Sequence, residues 1–143
     1  MNRSFLNRAF PFFIALSLIS WPGAWPAAWA LGPTGQSVAI NIAGSTTTQL
    51  VAPAGATQIY VTGWDVLANT ASSFSLEYGK SVTTPCDTGA PAVTGVYNFA
   101  AQSGISRSGS DQPLYVIPQG NALCAVTSGP SVSVAGSLSY TQF

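Results

Sequence analysis

The chain has 143 residues, and only 6% of them are charged, far below the roughly 25% of a typical soluble domain. It contains 4 Lys+Arg, 4 Asp+Glu and no histidine, so its formal net charge is zero. The absence of histidine excludes Ser-His-Asp and Cys-His catalysis and any imidazole metal site. Four basic residues are too few for the phosphate-tracking patch of a nucleic-acid-binding protein. The composition therefore argues against an enzyme and predicts no cofactor, no metal and no nucleic-acid partner.

The first thirty residues have the pattern of a secretory signal peptide. Arg3 and Arg8 form a positive start, residues 10–21 are mostly apolar, and helix-breaking Pro and Gly follow. The Ala-Trp-Ala tripeptide at 28–30 fits the small-x-small cleavage pattern, so we expect residues 1–30 to be removed. The alternative, an uncleaved membrane anchor, needs about 20 continuous apolar residues, more than this interrupted stretch provides. The sequence thus predicts a secreted, periplasmic or cell-surface protein with no membrane span after cleavage.

Beyond a flexible lead-in at 31–36, residues 37–143 read as one domain made of strands. Apolar side chains recur at every second position, most clearly along 131–141, which is the period of a strand with one buried face. Helical periodicity is missing, and clusters of Gly, Pro, Asn or Ser separate most of the segments. The eight predicted strands are Val38–Ile42, Thr46–Val51, Gln58–Val66, Ser73–Tyr78, Val96–Ala100, Leu114–Ile117, Ala122–Thr127 and Ser131–Thr141. Such a chain is typical of an all-β, single-domain antiparallel sandwich or barrel.

Two segments between the predicted strands read as loops, 80–93 and 102–113, and the second is the better candidate for a contact surface. The first contains Cys86, and the other cysteine is Cys124 in a predicted strand. An exported chain with an even number of cysteines usually pairs them, and closing a loop of nearly forty residues stabilises by about 3–4 kcal/mol. The alternative is two buried free thiols. Without C-x-x-C spacing, neither a redox nor a zinc role is indicated.

The carboxylates offer one catalytic hypothesis. Glycoside hydrolysis needs two carboxylates about 5–10 Å apart. Asp65 and Glu77 would meet this condition if their strands were neighbours, with Trp64 as a platform for a sugar ring. The simpler interpretation is that the acids are solvated turn residues.

Six residues are candidates for contact with a ligand or partner. Aromatic side chains on strands stack against ligands or line subunit interfaces when they are exposed, although most such rings belong to a core. The candidates combine these rings with nearby charges: Trp64, Asp65, Tyr97, Arg107, Asp111 and Tyr115.

The scarcity of charge after the leader is informative about assembly. Residues 31–143 contain 15 Ser and 13 Thr but a single lysine, Lys80, and a single arginine, Arg107. Monomeric β-proteins usually protect their strand edges with charge, especially lysine. We therefore expect a homo-oligomer or a surface assembly.

Several segments resemble a group of small, mostly uncharacterised proteins of bacteriophages and prophages. The segments that carry this resemblance are Ser75–Gly79, Thr94–Tyr97, Leu114–Cys124 and Gly136–Tyr140. The resemblance covers most of 46–143 and implies a jelly-roll-like sandwich that serves as a virion accessory or fibre-tip module. The leader departs from that pattern, because virion proteins assembled in the cytoplasm need no export.

The sequence leaves three functional hypotheses open. The first is a secreted, non-catalytic structural or surface-interaction protein. The second is a carbohydrate-binding or adhesin module with a glycan partner. The third follows from a resemblance to chaperone-assembled pilins, in which Val38, Ile40 and Ile42 would lie on a donated strand.

Overall fold

The computed structural model describes residues 35–80, 84, 86 and 90–143, and these form nine strands in two antiparallel sheets. The predicted leader lies outside the described residues. No helix in the described ranges has the length and apolar character to cross a membrane. In chain order the strands are β1 (Gln36–Ala43), β2 (Thr46–Val51), β3 (Ile59–Ala68), β4 (Ser72–Gly79), β5 (Tyr97–Phe99), β6 (Ser103–Ser108), β7 (Tyr115–Ile117), β8 (Ala122–Ser128) and β9 (Ser133–Gln142).

The order of the strands is that of a jelly roll. Sheet A has the order β1-β9-β3-β6, with the short β7 also pairing with β3, and sheet B has the order β2-β8-β4-β5. The chain therefore pairs β4 with β5, β3 with β6, β2 with β8 and β1 with β9, as a long antiparallel ribbon would if it were wound into two facing sheets. This topology confirms the predicted jelly-roll-like β-sandwich.

The core lies between the two sheets and follows the alternation in the sequence. Along Trp64–Ala68 of β3 and Ser72–Leu76 of β4 every second side chain is buried, which places Val66 and Ala68 of one sheet and Phe74 and Leu76 of the other in the same cluster. Each fully buried large side chain contributes about 1.5–3 kcal/mol. The predicted face of the last strand is confirmed in part: Val134 and Leu138 are buried, whereas Gly136 and Tyr140 are half-buried.

Hydroxyl side chains join the corners where the chain crosses between the sheets. Crossing leaves backbone groups outside either ladder, and such groups need other partners. Ser45 Oγ donates to the Gly129 carbonyl at 2.8 Å and accepts from the Gly129 N–H at 3.0 Å. Thr127 Oγ1 donates to the Gly44 carbonyl at 2.9 Å. Part of the high Ser and Thr content is thus used to tie the β1–β2 corner to the β8–β9 corner.

The prediction of a loop at 102–113 is wrong for its first half. β6 occupies Ser103–Ser108 and pairs with β3 along Gly63–Ala68. Its six residues are half-buried or exposed, because it lies at the edge of sheet A. An edge strand with so little buried surface lacks the apolar alternation that reveals a strand in a sequence.

Candidate functional site

The structure brings together four of the six contact candidates at one open side of the sandwich, where β6 and β7 of sheet A lie near β5 of sheet B. Trp64 and Arg107 are directly opposite each other in the β3–β6 register. The rings of Trp64 and Tyr97 are 5.5 Å apart. Tyr115 is the first residue of β7. The pKa of its hydroxyl depends on the neighbouring Trp64, Tyr97 and Arg107. We call Trp64, Tyr97, Arg107 and Tyr115 the edge cluster.

Trp64 is the buried member of the edge cluster. Only 2% of its surface is exposed, and its ring also packs at 5.8 Å from Phe74 in the core. Its Nε1–H is buried and has no hydrogen-bond partner among the described residues. Trp64 lowers the pKa of the Tyr115 hydroxyl, but the two groups do not reach hydrogen-bond geometry. The surface of the edge cluster therefore consists of Tyr97, Tyr115 and Arg107, and Trp64 offers no exposed platform to a sugar.

Burial is the main reason that the pKa of the Tyr115 hydroxyl is raised above its ordinary value of 10.0. The adjacent Tyr97 adds to this increase, whereas Trp64 and Arg107 partly oppose it. Tyr115 is therefore a neutral donor and acceptor at physiological pH. The edge cluster can offer hydrogen bonds and one positive charge, but it contains no carboxylate and no nucleophile with a base beside it.

Asp65 lies apart from the edge cluster, because it alternates with Trp64 and points to the outer face of sheet A. Its carboxylate accepts a hydrogen bond from the Ser137 hydroxyl on β9. Glu77 lies on the outer face of the other sheet, since it alternates with the buried Leu76 on β4. Facing sheets are about 10 Å apart, so the whole sandwich separates these two carboxylates. The hypothesis of a catalytic Asp65–Glu77 pair is wrong, because their strands belong to different sheets.

Asp111 lines a surface pocket of about 200 Å³ at one end of sheet A. The floor comes from the outer face of β3 and β9, where the rings of Tyr60 and Phe143 stack at 4.4 Å with an angle of 8°. The wall is residues 109–113, held against β3 by the bond from the Gly109 N–H to the Thr62 carbonyl at 2.8 Å. The volume is below the roughly 300–1,000 Å³ of typical small-molecule sites. Sequence analysis missed Tyr60 and Phe143, because nothing local indicates that the chain end returns to β3.

The predicted disulfide is confirmed. Cys86 and Cys124 are bonded, with an S–S distance of 2.06 Å and a separation of 38 residues. The bridge lies on the outer face of sheet B, where Cys86, Ala122 and Cys124 form a small buried cluster against Ala90. Glu77 pairs directly with Cys124 in the β4–β8 register, and burial raises the pKa of its carboxyl above 4.5. Asp87, the acidic residue next to Cys86 in the predicted loop 80–93, lies outside the described residues.

No cluster of three or more His, Cys, Asp or Glu side chains suited to a metal ion occurs within the described part of the chain. Five of the six candidates thus belong to two separate surfaces, the edge cluster and the Asp111 pocket, and Asp65 lies apart from both. Both are suited to contact by hydrogen bonds and aromatic packing.

Comparison with known proteins gives a partial structural match. No known family profile matches the chain, and no curated protein is similar to it in sequence. Among solved structures, one described as the infectious bursal disease virus Gx strain matches with a TM-score of 0.44 and 17% identity. The match covers 76% of this chain and 32% of the viral one, so this chain spans about a third of that protein.

Proposed function

We propose that this protein is an exported, non-catalytic structural β-sandwich that assembles with copies of itself into a larger surface or virion-like structure. The observation that carries this proposal is the outer face of sheet A. Four adjacent strands, β1, β9, β3 and β6, present small or uncharged side chains there in cross-strand rows. The part of this face that lies away from the Asp111 pocket consists of Ser37, Ala39, Asn41, Gly63, Asp65, Leu67, Gly104, Ser106, Ser108, Ala135, Ser137 and Ser139.

The chemistry of this face suits contact with another protein surface. Asp65 is its only charge, and Ser137 already provides that carboxylate with a hydrogen bond. Desolvating hydroxyl and methyl groups costs much less than desolvating ions. Leu67, which is 46% exposed, adds apolar area in the row that also contains Asn41, Ala135 and Gly104.

The association state of the full chain tests the proposal. Size-exclusion chromatography with light scattering at high micromolar concentration should show an oligomer. Because the face is nearly uncharged, raising NaCl to about 0.5 M should leave the oligomer intact, whereas contacts between exposed charges would weaken. Ala135→Lys should reduce the association, and Ala101→Lys, the same substitution in an exposed turn, should not. A strict monomer under these conditions overturns the proposal.

The second candidate function is glycan binding at the Asp111 pocket. Tyr60 and Phe143 supply aromatic surface, and Asp111 and Gln112 supply an acceptor and an amide, a combination common in sugar sites. A glycan array with the wild type, Tyr60→Ala and Asp111→Asn decides this. Binding that both variants lose supports the module, and absence of binding by the wild type eliminates it.

The pilin hypothesis receives less support. Val38, Ile40 and Ile42 belong to β1, which pairs with β9 of the same chain, and Ile40 and Ile42 are 1% and 3% exposed. These side chains pack in the core of their own chain, whereas a donated strand would pack in the core of a neighbouring subunit.

A further inference from the structure

The free edge of β1 differs from the other strand edges in the described residues. β1 is eight residues long, pairs with β9 in unbroken register and contains no charge, proline or glycine. The other edges are interrupted: β2 has a bulge between Gln49 and Val51, β5 has three residues, and β6 carries Arg107 and is separated from β7 by residues 109–114. Proteins usually blunt exposed edges with such features.

The hydrogen-bond pattern shows which backbone groups of β1 are free. In an antiparallel ladder, directly opposite residues alternate between hydrogen-bonded and non-hydrogen-bonded pairs. The Gly44 N–H donates to the Val132 carbonyl directly opposite it. Continuing this alternation along β1 assigns Ile42 and Ile40 to the β9 ladder. The N–H and C=O groups of Ser37, Ala39 and Asn41 therefore point away from the sheet.

A second bond supports this assignment from the other side of β9. The Asn69 N–H donates to the Ser133 carbonyl directly opposite it, so odd-numbered residues of β9 bond to β3 and even-numbered ones bond to β1. The register pairs even-numbered residues of β1 with even-numbered residues of β9. Both observations leave the N–H and C=O groups of the odd-numbered residues of β1 without a strand partner in the part of the chain that the structure describes.

We propose that β1 pairs in antiparallel fashion with β1 of a second copy, joining two A sheets across a twofold axis at Ile40. This inference rests on the proposed self-assembly and adds an edge-to-edge contact to the contact proposed for the outer face of sheet A. Residues opposite each other must share a face of the sheet, so only registers in which the two residue numbers sum to an even value are allowed. The Ile40-centred register places Val38 opposite Ile42 and Ala39 opposite Asn41.

A second copy is the occupant that this strand suits best. In the Ile40-centred register Ile40 meets Ile40 and Val38 meets Ile42, so apolar side chains face apolar side chains on the inner side of the joined strands. The outward-facing Ala39 and Asn41 are small and uncharged, and no like charges meet along the strand. The same strand thus supplies complementary backbone groups and compatible side chains on both sides of the axis.

Hydrogen exchange of the full chain, expressed with its own N-terminus, tests this pairing at each residue. At concentrations where the chain is oligomeric, the amides of Ala39 and Asn41 should be protected along with those of Ile40 and Ile42. On dilution to monomer, exchange at Ala39 and Asn41 should accelerate at least tenfold, while Ile40 and Ile42 remain slow.

A proline substitution gives an independent test with a matched control. Ala39→Pro removes an N–H that points outward, a position where edge strands tolerate proline. Ala101→Pro is the control, because Ala101 is the exposed second residue of the turn closed by the Ser103 N–H and the Ala100 carbonyl, a position that proline favours. Ala39→Pro should weaken dimerisation at least tenfold, and Ala101→Pro should leave it unchanged.

The outcomes separate this inference from the proposed function. An oligomer that survives Ala39→Pro, or whose Ala39 and Asn41 amides exchange freely, overturns the β1 pairing and leaves self-assembly in place. A monomer with those amides protected means that another segment of the chain covers β1, and this also overturns the pairing. A monomer with free amides overturns both proposals. If Ala39→Pro fails to fold, the exchange data of the wild type still decide.

Discussion

Gly136 on β9 lies against the carbonyl oxygen of Asp65 on β3, so closely that a Cβ on Gly136 would collide with that oxygen. The oxygen belongs to the backbone and cannot move without shifting the strand. β3 and β9 are the two central strands of sheet A, each with partners on both sides. The pairing of β3 with β9 at this point therefore requires a residue without a side chain at position 136.

We expect Gly136→Ala to lower the free energy of unfolding by about 3 kcal/mol, at the upper end of overpacking costs. Gly95→Ala is the control, because nothing lies within 4 Å of a Cβ at that position, and it should be neutral or slightly stabilising. Urea denaturation followed by tryptophan fluorescence measures both. Equal stability of the two variants would mean that β3 and β9 adjust easily at this point.

Trp64 should tolerate loss of its indole N–H better than loss of its volume. The N–H is buried and forms no hydrogen bond within residues 35–80, 84, 86 and 90–143, so no bond there is lost with it. Trp64→Phe should cost about 1–2 kcal/mol, whereas Trp64→Ala leaves a cavity beside Phe74 and Tyr97 and should cost about 3–5 kcal/mol. Thermal unfolding by circular dichroism compares the variants. A Phe variant as unstable as the Ala variant would show that the N–H has a partner, such as an ordered water.

The disulfide should contribute strongly to stability, because it links residues 38 positions apart. Reduction, or the double substitution Cys86→Ala with Cys124→Ala, should lower the free energy of unfolding by about 3–4 kcal/mol on the chain-entropy estimate. Since sheet B has its own buried inner face, the strands should persist after reduction. Chemical denaturation with and without reductant measures the loss, and far-ultraviolet circular dichroism checks the strands. A loss below about 1 kcal/mol would contradict this expectation.

Glu77 should make stability depend weakly on pH in the acidic range. Burial raises the pKa of its carboxyl in the folded state above 4.5, so the folded protein holds this proton more tightly than the unfolded chain does. The resulting stabilisation is complete below pH 4.5 and is lost as the pH rises through the folded-state pKa. Glu77→Gln should remove this component, which denaturant midpoints between pH 3.5 and 7 will detect. The same slope in wild type and variant would assign the pH dependence to another group.

The edge strand β6 is the strand that the sequence pattern does not predict. The structure has a strand in each of the eight predicted segments, and seven of these strands contain at least one buried side chain. Residues 103–108 alternate small polar groups with one isoleucine and one arginine, and their half-buried positions depend on β3 beside them. Their strand structure comes from a ladder with a segment some forty residues earlier, which no local pattern reveals.

For the contact candidates, too, the sequence identified the residues, and the tertiary structure determined which of them lie together. The sequence identified Trp64, Tyr97, Arg107 and Tyr115 without indicating that they meet, and without indicating that Trp64 is covered. Proximity of these four side chains depends on β3, β5, β6 and β7 converging at one side of the sandwich.

The sequence alone determined the strand class and the cysteine pair, because the period of two and the cysteine count are local properties of the chain. The tertiary structure decided which strands are neighbours, which of them remain at an edge, and on which outer face Asp65 and Glu77 lie. A period of two tells which side chains share a face, but it does not tell which sheet that face belongs to. The sheet to which each strand belongs depends on pairings between strands far apart in the chain, and these pairings exist only in the folded sandwich.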